Sequence, residues 1–202
     1  MTYVLIPGAG GAAWYWHRVA ALLGGAVAVD LPGDDPRAGL PEYTEAIVAA
    51  ADGEVVLVAQ SMGAFSALPA VARLEVRRLV LLNAMIPLPG ETAGAWWSAT
   101  GWRDREIDLE RDFLHDVPPA IAAAGAEHQR PEADIAFSQP CAFDAWPDVE
   151  TVVLAGRDDR FFELDFQRRV ARERLGRDVV EVPGGHLAAL SFPEEVAAAI
   201  RG

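Results

Sequence analysis

The feature that most constrains the fold is residues 55–65, where a run of apolar, β-branched residues ends abruptly at a serine flanked by small residues. A short apolar run is typical of a strand buried on both faces of a parallel sheet. Ala59, Gly63 and Ala64 keep the following turn free of bulk, so the pattern predicts a strand, a sharp turn and a helix. Ser61 would stand exposed at that turn, as in the G-x-S-x-G pattern of nucleophilic serines, with alanine replacing the first glycine. The alternative is that Ser61 only caps the helix.

The charge and residue usage of the 202-residue chain exclude several kinds of function. The formal net charge of −13 argues against nucleic acid and anionic membranes as partners. All 17 basic residues are arginine, which excludes enzymes that need lysine for a Schiff base or a phosphate-binding loop. Cys141 is the only cysteine, so we expect no internal disulfide, no cysteine-rich metal site and a reducing, cytoplasmic location. We expect neither secretion nor a membrane anchor, because the sequence shows no basic segment with a cleavage site before the first apolar strand and no run of about 18 apolar residues.

Apolar segments alternate with helical patterns along most of the chain. Strands are predicted over residues 2–7, 26–29, 55–60, 77–83, 149–155 and 178–182, and a helix over 64–73 is expected to break near Pro69. The alternation is typical of right-handed βαβ units, so the predicted fold class is α/β, with an open, mainly parallel six-stranded sheet flanked by helices. Residues 84–147 interrupt it with clustered tryptophans, prolines and an alanine-rich helix. We therefore predict a single domain whose core comprises residues 1–83 and 148–202, with a small helical lid inserted at 84–147.

The first predicted strand runs into a glycine-rich loop for which two functional interpretations compete. Gly8-x-Gly10-x-x-Ala13 matches a dinucleotide fingerprint, and Asp30 stands about twenty residues farther on, where an acid that binds ribose is expected. That interpretation predicts an NAD(P)-dependent oxidoreductase, but the Tyr-x-x-x-Lys pair usual in short-chain reductases is impossible without lysine. Alternatively, the loop supplies the N–H of Ala9 to an oxyanion hole. A third interpretation is that the glycines only form a tight turn.

Three predicted strands are followed by residues that together suit nucleophilic catalysis. Ser61 follows the third strand, Asp159 the fifth and His186 the sixth. Since the carboxyl ends of parallel strands meet at one edge of a sheet, these side chains are expected to converge. A serine hydroxyl needs an adjacent imidazole as base, and the imidazole needs an acid to fix its tautomer. Asp158 adjoins Asp159 and is the alternative acid.

The order of these motifs resembles the α/β-hydrolase superfamily over nearly the whole chain. Three stretches are similar to its nucleophile elbow, acid turn and histidine loop, namely 59–63 (Ala-Gln-Ser-Met-Gly), 156–159 (Gly-Arg-Asp-Asp) and 184–186 (Gly-Gly-His). Residues 4–9 and 82–87 resemble the esterase-like branch that holds the plant methylesterases and hydroxynitrile lyases. The resemblance implies a site without a cofactor, made of the nucleophile Ser61, the base His186, the acid Asp159 and oxyanion N–H groups from Ala9 and Met62.

Two departures from the family pattern bear on the chemistry. Pro7-Gly8 replaces the usual His-Gly before the oxyanion loop, which removes a side chain but keeps the backbone donor. Leu187 stands where the lyase members carry a lysine beside the histidine, so cyanohydrin cleavage is disfavoured.

The resulting prediction is a serine hydrolase that cleaves a small carboxylic ester, thioester or lactone through an acyl-enzyme. The alternatives are the oxidoreductase built on the glycine loop and a non-catalytic ligand-binding protein on a hydrolase scaffold. The expected partner is a small acyl substrate, without nucleic acid or membrane, and a homodimer is left open. Candidate substrate contacts come from the lid and the turns around the site: Gly10, Trp96, Trp97, His115, Phe161 and Leu187. For Trp96 and Trp97 the competing explanation is packing within the lid, and for His115 it is a capping or surface histidine.

Overall fold

The centre of the fold is a six-stranded sheet. The computed structural model describes residues 2–102 and 105–202; Met1, Arg103 and Asp104, which fall within the predicted core and lid ranges, lie outside the described residues. The strands are β1 (Thr2–Ile6), β2 (Ala26–Ala28), β3 (Glu54–Gln60), β4 (Glu75–Leu82), β5 (Glu150–Gly156) and β6 (Val180–Val182). All pairings are parallel, in the order β2-β1-β3-β4-β5-β6. The predicted open, parallel α/β sheet is thereby confirmed.

Helices cover both faces of the sheet. They are α1 (His17–Leu23), α2 (Leu40–Ala50), α3 (Ala64–Val71), α4 (Ala93–Ala99), α5 (Pro119–Ala126), α6 (Asp134–Ser138), α7 (Leu164–Leu175), α8 (Ala188–Ser191) and α9 (Pro193–Arg201). Two 3-10 turns, Ala13–Trp16 and Ser61–Gly63, and a π-helical turn, Glu110–Leu114, lie between them. Because a strand alternates its side chains between faces, Leu57 packs in a core with α2, α3 and α7, whereas Val56 and Val58 pack in a second core with α1 and α9.

Strand β3 lies in the middle of the sheet because it is apolar on both faces. Every residue from Val55 to Gln60 is buried, which requires strands on both sides and helices on both faces. The pairing aligns the carboxyl ends of the central strands, since Gln60 pairs with Leu82 and Leu82 with Leu154. The residues that follow these strands therefore meet at one edge of the sheet.

Helix α3 continues through Pro69, which differs from the predicted break. Proline has no N–H to donate to the carbonyl four residues earlier, which here is that of Phe65. The thiol of Cys141 donates a hydrogen bond to this carbonyl oxygen at 3.2 Å. Burial, with a smaller contribution from the charge of Glu91, raises the pKa of the Cys141 thiol to about 12. The thiol therefore keeps its hydrogen and supplies the donor that the helix lacks.

Residues 84–147, the inserted segment, connect β4 to β5. The segment contains α4, α5, α6 and the π-helical turn. Trp96 fixes α4 to the core, because it is fully buried and its ring contacts those of Phe162 and Phe166. Helix α5 has no buried residue, so only part of the segment is packed inside the protein. Across residues 2–102 and 105–202, no helix combines the length and apolar character needed to cross a membrane.

Candidate active site

Ser61 occupies a strained turn between β3 and α3. Its φ of +50° lies in the left-handed region, which residues other than glycine rarely adopt. The neighbouring glycines make room for the turn: a Cβ on Gly63 would stand 2.4 Å from the carbonyl oxygen of Pro7, and one on Gly8 would stand 2.9 Å from the Cβ of Ser61. The glycine-rich loop after β1 therefore contacts the turn that carries the serine.

Ser61, His186 and Asp159 form a continuous hydrogen-bonded chain. His186 Nε2 lies 3.1 Å from Ser61 Oγ, and His186 Nδ1 lies 2.9 Å from Asp159 Oδ2. All three side chains are buried, with Ser61 the most accessible at 8% exposed. A carboxylate accepts hydrogen bonds, so with Asp159 ionised the imidazole carries its hydrogen on Nδ1 and accepts the serine hydroxyl hydrogen at Nε2. The arrangement can remove a proton from Ser61 and stabilise the imidazolium that results.

The carboxylate in this hydrogen-bonded series belongs to Asp159 and not to its neighbour Asp158. Asp159 Oδ1 accepts hydrogen bonds from the backbone N–H groups of Phe161 and Phe162, both at 2.8 Å, and Gln167 Nε2 donates to Oδ2 at 3.3 Å. These donors fix the orientation of the carboxylate toward His186. Asp158 is exposed, and the one hydrogen bond of its side chain among the described residues is accepted from the N–H of a glycine in the histidine loop at 3.3 Å. The structure therefore brings together the serine, the histidine and the second of the two adjacent aspartates.

Two side chains that the sequence analysis did not single out hold the backbone of His186. Asn83, which follows β4 and is fully buried, donates through Nδ2 to the carbonyl oxygens of Gly185 at 2.9 Å and His186 at 3.2 Å. Its Oδ1 accepts from the N–H of Gly156 at 2.7 Å. Gln60 Nε2 also donates to the carbonyl of His186, at 3.3 Å. The available signal was a polar residue at the end of each of two adjacent apolar strands.

Aromatic rings enclose the imidazole of His186. The rings of Phe113, Phe161 and Phe162 contact it edge-on, with centroid distances of 5.3, 4.9 and 5.0 Å. Phe113 comes from the inserted segment, whereas Phe161 and Phe162 follow the acid turn. These rings exclude water from the imidazole and restrict its rotation.

The glycine-rich loop is occupied by the protein's own charged side chains. Glu132 Oε2 accepts a hydrogen bond from the N–H of Gly10 at 2.6 Å. Asp30 accepts from the N–H of Ala13 at 3.0 Å and pairs with Arg130 at 2.7 Å. A phosphate at Gly10 would face a carboxylate, and Asp30 already has a cation as its partner, so this geometry argues against a dinucleotide site.

In the same loop, the backbone N–H of Ala9 has no hydrogen-bond acceptor among the described groups.

Ser61 and His186 line a cavity of about 460 Å³. Its volume is within the range of small-molecule sites. Ala9 and Met62, the implied oxyanion donors, also line it. Most of the remaining wall is apolar and comes from the first helical turn, the inserted segment and α8: Trp14, Tyr15, Ile107, Leu109, Leu114, Ile121, Phe137 and Leu190. None of these eight was among the predicted substrate contacts.

The structure separates the predicted substrate contacts into two groups. Those that line the cavity are Gly10, Trp97, Phe161 and Leu187. Trp96 does not, because consecutive helical side chains point about 100° apart, and its Nε1 donates to the carbonyl of Ile86 at 2.9 Å in the core. His115 lies behind the histidine loop, where a Cβ on Gly185 would stand 2.7 Å from its Nε2. In these two cases the structure differs from the expected substrate contact, since Trp96 packs against the core rings of Phe162 and Phe166 and His115 is a half-buried residue against the histidine loop.

Solved structures share this architecture. A polyneuridine aldehyde esterase is 19% identical, with a TM-score of 0.84 over 99% of this chain and 97% of its own. A methylesterase from Arabidopsis is 18% identical, with a TM-score of 0.82 over 100% of this chain and 97% of its own. A pyrethroid hydrolase from Sphingobium faniae is 22% identical, with a TM-score of 0.76 over 100% and 96%. At such identities the likeness concerns the fold.

Sequence comparison gives a second, independent result. No curated protein matched the chain. A family model described as the alpha/beta hydrolase family matches residues 3–199. Because that match spans nearly the whole chain, the protein belongs to the alpha/beta hydrolase family.

Proposed function

We propose that the protein is a serine hydrolase that cleaves a small, apolar carboxylic ester, thioester or lactone through an acyl-enzyme. The observation that carries the proposal is the hydrogen-bonded chain from Ser61 through His186 to Asp159, of which Ser61 and His186 line a mainly apolar cavity. The three groups have the mutual geometry that a serine nucleophile, its base and an orienting acid require.

The reaction follows from this geometry. Ser61 Oγ attacks the carbonyl carbon while His186 Nε2 takes the hydroxyl proton, and Asp159 stabilises the imidazolium. The N–H groups of Ala9 and Met62 hold the oxyanion. His186 then gives the proton to the leaving oxygen or sulfur, which departs and leaves the acyl group on Ser61. Water, deprotonated by His186, attacks the acyl-enzyme, and His186 returns the proton to Ser61 Oγ as the acid is released.

The walls of the cavity favour an uncharged, apolar substrate. Among its described lining residues, Arg130 alone carries a permanent charge, and its guanidinium is paired with Asp30 at 2.7 Å. A substrate carboxylate or phosphate would lose its hydration without gaining a free cation. The solved relatives named as a methylesterase and a pyrethroid hydrolase share the fold, which supports an ester for this chain as well.

The inserted segment serves as the lid of this cavity. Trp97, Phe113, Ile121 and Phe137 all belong to it and all line the cavity. A segment that supplies part of the wall can shield an acyl-enzyme from bulk water and admit substrate by local movement. Helix α5 has no buried residue, so it is the part of the lid that we expect to move when substrate enters.

Labelling with a fluorophosphonate probe tests the proposal. The wild-type protein is expected to be modified at Ser61 and to hydrolyse p-nitrophenyl butyrate, and Ser61→Ala is expected to do neither. Absence of labelling in the folded wild-type protein would overturn the mechanism and favour a non-catalytic ligand-binding protein. Titration with NAD(H) and NADP(H), followed by tryptophan fluorescence, tests the oxidoreductase alternative, for which we expect no saturable change.

A further inference from the structure

We propose that Glu132, a residue of the inserted segment, is a positioning residue that sets the conformation of the oxyanion loop. The inference rests on the proposed function, since it assigns a second residue to the same site. Glu132 does not line the cavity among the described residues, and its role is to hold the backbone of a loop that does.

The carboxylate of Glu132 joins the loop to the body of the protein. Oε2 accepts the N–H of Gly10 at 2.6 Å, and Oε1 accepts the hydroxyl of Tyr43 at 2.5 Å. Tyr43 lies on α2 and is only 3% exposed, so it is a fixed anchor. Hydrogen bonds to a charged acceptor are among the stronger ones in proteins.

This bond fixes the residue next to the proposed oxyanion donor. Ala9 lies between Gly8 and Gly10 in the chain. Gly8 is held against Ser61, since a Cβ there would stand 2.9 Å from the Cβ of the serine. With Gly10 held by Glu132 on the other side, the peptide group that carries the Ala9 N–H can turn only about the ψ of Gly8 and the φ of Ala9. The carboxylate thus restricts the donor without touching the substrate.

The loop needs an external restraint because its backbone is unusual. Gly10 and Gly11 have φ values of +82° and +68°, and glycine is the residue with the most conformational freedom to lose. The chain at Arg130 passes so close that a Cβ on Gly10 would stand 2.6 Å from its carbonyl oxygen. The inserted segment holds the far end of the loop as well, through the pair of Arg130 with Asp30, which accepts the N–H of Ala13. Segment and loop are therefore coupled at two points.

The test compares removal of this carboxylate with removal of a matched one. Glu42 Oε2 accepts the N–H of Gly39 at 2.8 Å, so Glu42→Ala deletes the same kind of bond at the start of α2, away from Ser61. Loss of one oxyanion donor lowers kcat by about 10²- to 10³-fold, so a misplaced donor in Glu132→Ala is expected to lower kcat by about tenfold or more. KM for p-nitrophenyl butyrate is expected to change little, because ground-state binding is unaffected. Glu42→Ala is expected to keep the wild-type kcat.

Two further readouts separate positioning from a merely structural role. A trifluoromethyl ketone that forms a tetrahedral adduct with Ser61 is expected to lose affinity for Glu132→Ala by the same factor as kcat/KM, because both report the oxyanion. Glu132→Gln is expected to restore most of kcat, because its amide oxygen can accept the N–H of Gly10 while its amide nitrogen donates to Tyr43. If Glu132→Ala does not fold, Glu132→Met, which keeps the length and removes the acceptor, replaces it.

The failure of this inference differs from the failure of the proposed function. If the wild-type protein shows no Ser61-dependent hydrolysis or labelling, the proposed function is wrong. If the wild-type protein is active and the folded alanine or methionine variant of Glu132 matches Glu42→Ala in kcat and in inhibitor affinity, the positioning role alone is wrong. A rise in KM without a fall in kcat would likewise overturn it, because that pattern indicates lost substrate binding.

Discussion

Asn83 holds the backbone of His186 through its side chain, with Nδ2 3.2 Å from the histidine carbonyl oxygen. The same side chain bonds to the carbonyl of Gly185 and to the N–H of Gly156. Its own φ of +45° lies in the left-handed region, which asparagine tolerates better than most residues. One buried amide therefore joins the ends of β4 and β5 to the loop that carries the proposed base.

We expect Asn83→Ala to lower both kcat and stability. Three hydrogen bonds are lost, and each buried group left without a partner costs about 1–3 kcal/mol. Asn83→Gly is the matched variant, because it loses the same bonds without strain at a positive φ. In thermal denaturation, Asn83→Ala is expected to be less stable than Asn83→Gly. Steady-state kinetics with p-nitrophenyl butyrate are expected to show a similar fall in kcat for both variants. A folded variant with unchanged kcat would contradict the assignment.

The two adjacent aspartates provide a comparison within one turn. Asp159→Asn is expected to lower kcat by about 10³- to 10⁴-fold, the order seen when a triad acid becomes an amide and the histidine tautomer is wrong. Asp158→Asn is expected to leave kcat close to that of the wild type, since Asp158 is exposed and does not contact His186. Steady-state kinetics with p-nitrophenyl butyrate measure kcat for both variants, and the rate at which the fluorophosphonate probe phosphonylates Ser61 checks the result. Equal losses in the two variants would mean that the acid role is shared.

The ends of the strands could be predicted from the sequence, because a strand that is buried on both faces is a continuous run of apolar residues. β3 is an uninterrupted apolar run, and the sheet then brings Ser61, Asp159 and His186 to one edge whatever their separation in the chain. The choice of Asp159 over Asp158 came from the resemblance of residues 156–159 to the acid turn of the α/β-hydrolase superfamily, and Asp159 is the aspartate that contacts His186. The convergence of the three strand ends needs only the period of a strand and the parallel order of the sheet.

Contacts made by the inserted segment were not predictable in the same way. Glu132 meets Gly10 across 122 positions of sequence, and it lies between α5 and α6 where no periodic pattern exists. Trp96 and Trp97 are adjacent, so assigning one to the core and the other to the cavity requires the rotational phase of a seven-residue helix. The break expected at Pro69 was wrong because a thiol from the same segment replaces the missing donor.

Cys141 is expected to be unreactive in the folded protein. Its thiol is fully buried, and burial raises its pKa to about 12, so the reactive thiolate is scarce. We expect a thiol reagent such as Ellman's to modify it only after denaturation. Cys141→Ala is expected to lower the unfolding free energy by about 1–3 kcal/mol, because the Phe65 carbonyl loses its donor. Cys141→Ser is expected to lower the unfolding free energy by less, because the serine hydroxyl can donate in place of the thiol. Rapid modification under native conditions would contradict this placement.

The stability contributed by Glu132 is expected to fall as pH rises. Burial raises the pKa of its carboxyl, although the bonds from Tyr43 and Gly10 act in the opposite direction. The folded protein thus binds this proton more tightly than the unfolded chain, so the stabilisation is greatest below the unfolded pKa and declines as pH rises through the folded pKa. The unfolding free energy of the wild type minus that of Glu132→Gln, from urea titrations at about pH 4 to 7, is expected to decrease with pH.

Glu45 gives a control of opposite sign for that experiment. The guanidinium of Arg73 hydrogen-bonds to the Glu45 carboxyl and lowers its pKa, so its contribution is present above the unfolded pKa and is lost as pH falls. The unfolding free energy of the wild type minus that of Glu45→Gln is therefore expected to increase with pH. If the difference in unfolding free energy for Glu132→Gln also increased with pH, burial would not be the dominant effect on the pKa of Glu132.

Trp96 and Trp97 are expected to separate stability from specificity, although they are adjacent on α4. Trp96 is fully buried against Phe162 and Phe166, so Trp96→Ala is expected to lower the unfolding free energy by about 3–5 kcal/mol. Trp97 lines the cavity, so Trp97→Ala enlarges the site and is expected to raise kcat/KM for a bulky p-nitrophenyl ester relative to the acetate. Thermal denaturation and a series of p-nitrophenyl esters of increasing acyl size measure the two effects. The interpretation fails if Trp97→Ala leaves the preference for acyl size unchanged, or if Trp96→Ala, assayed well below its melting temperature, shifts that preference as strongly.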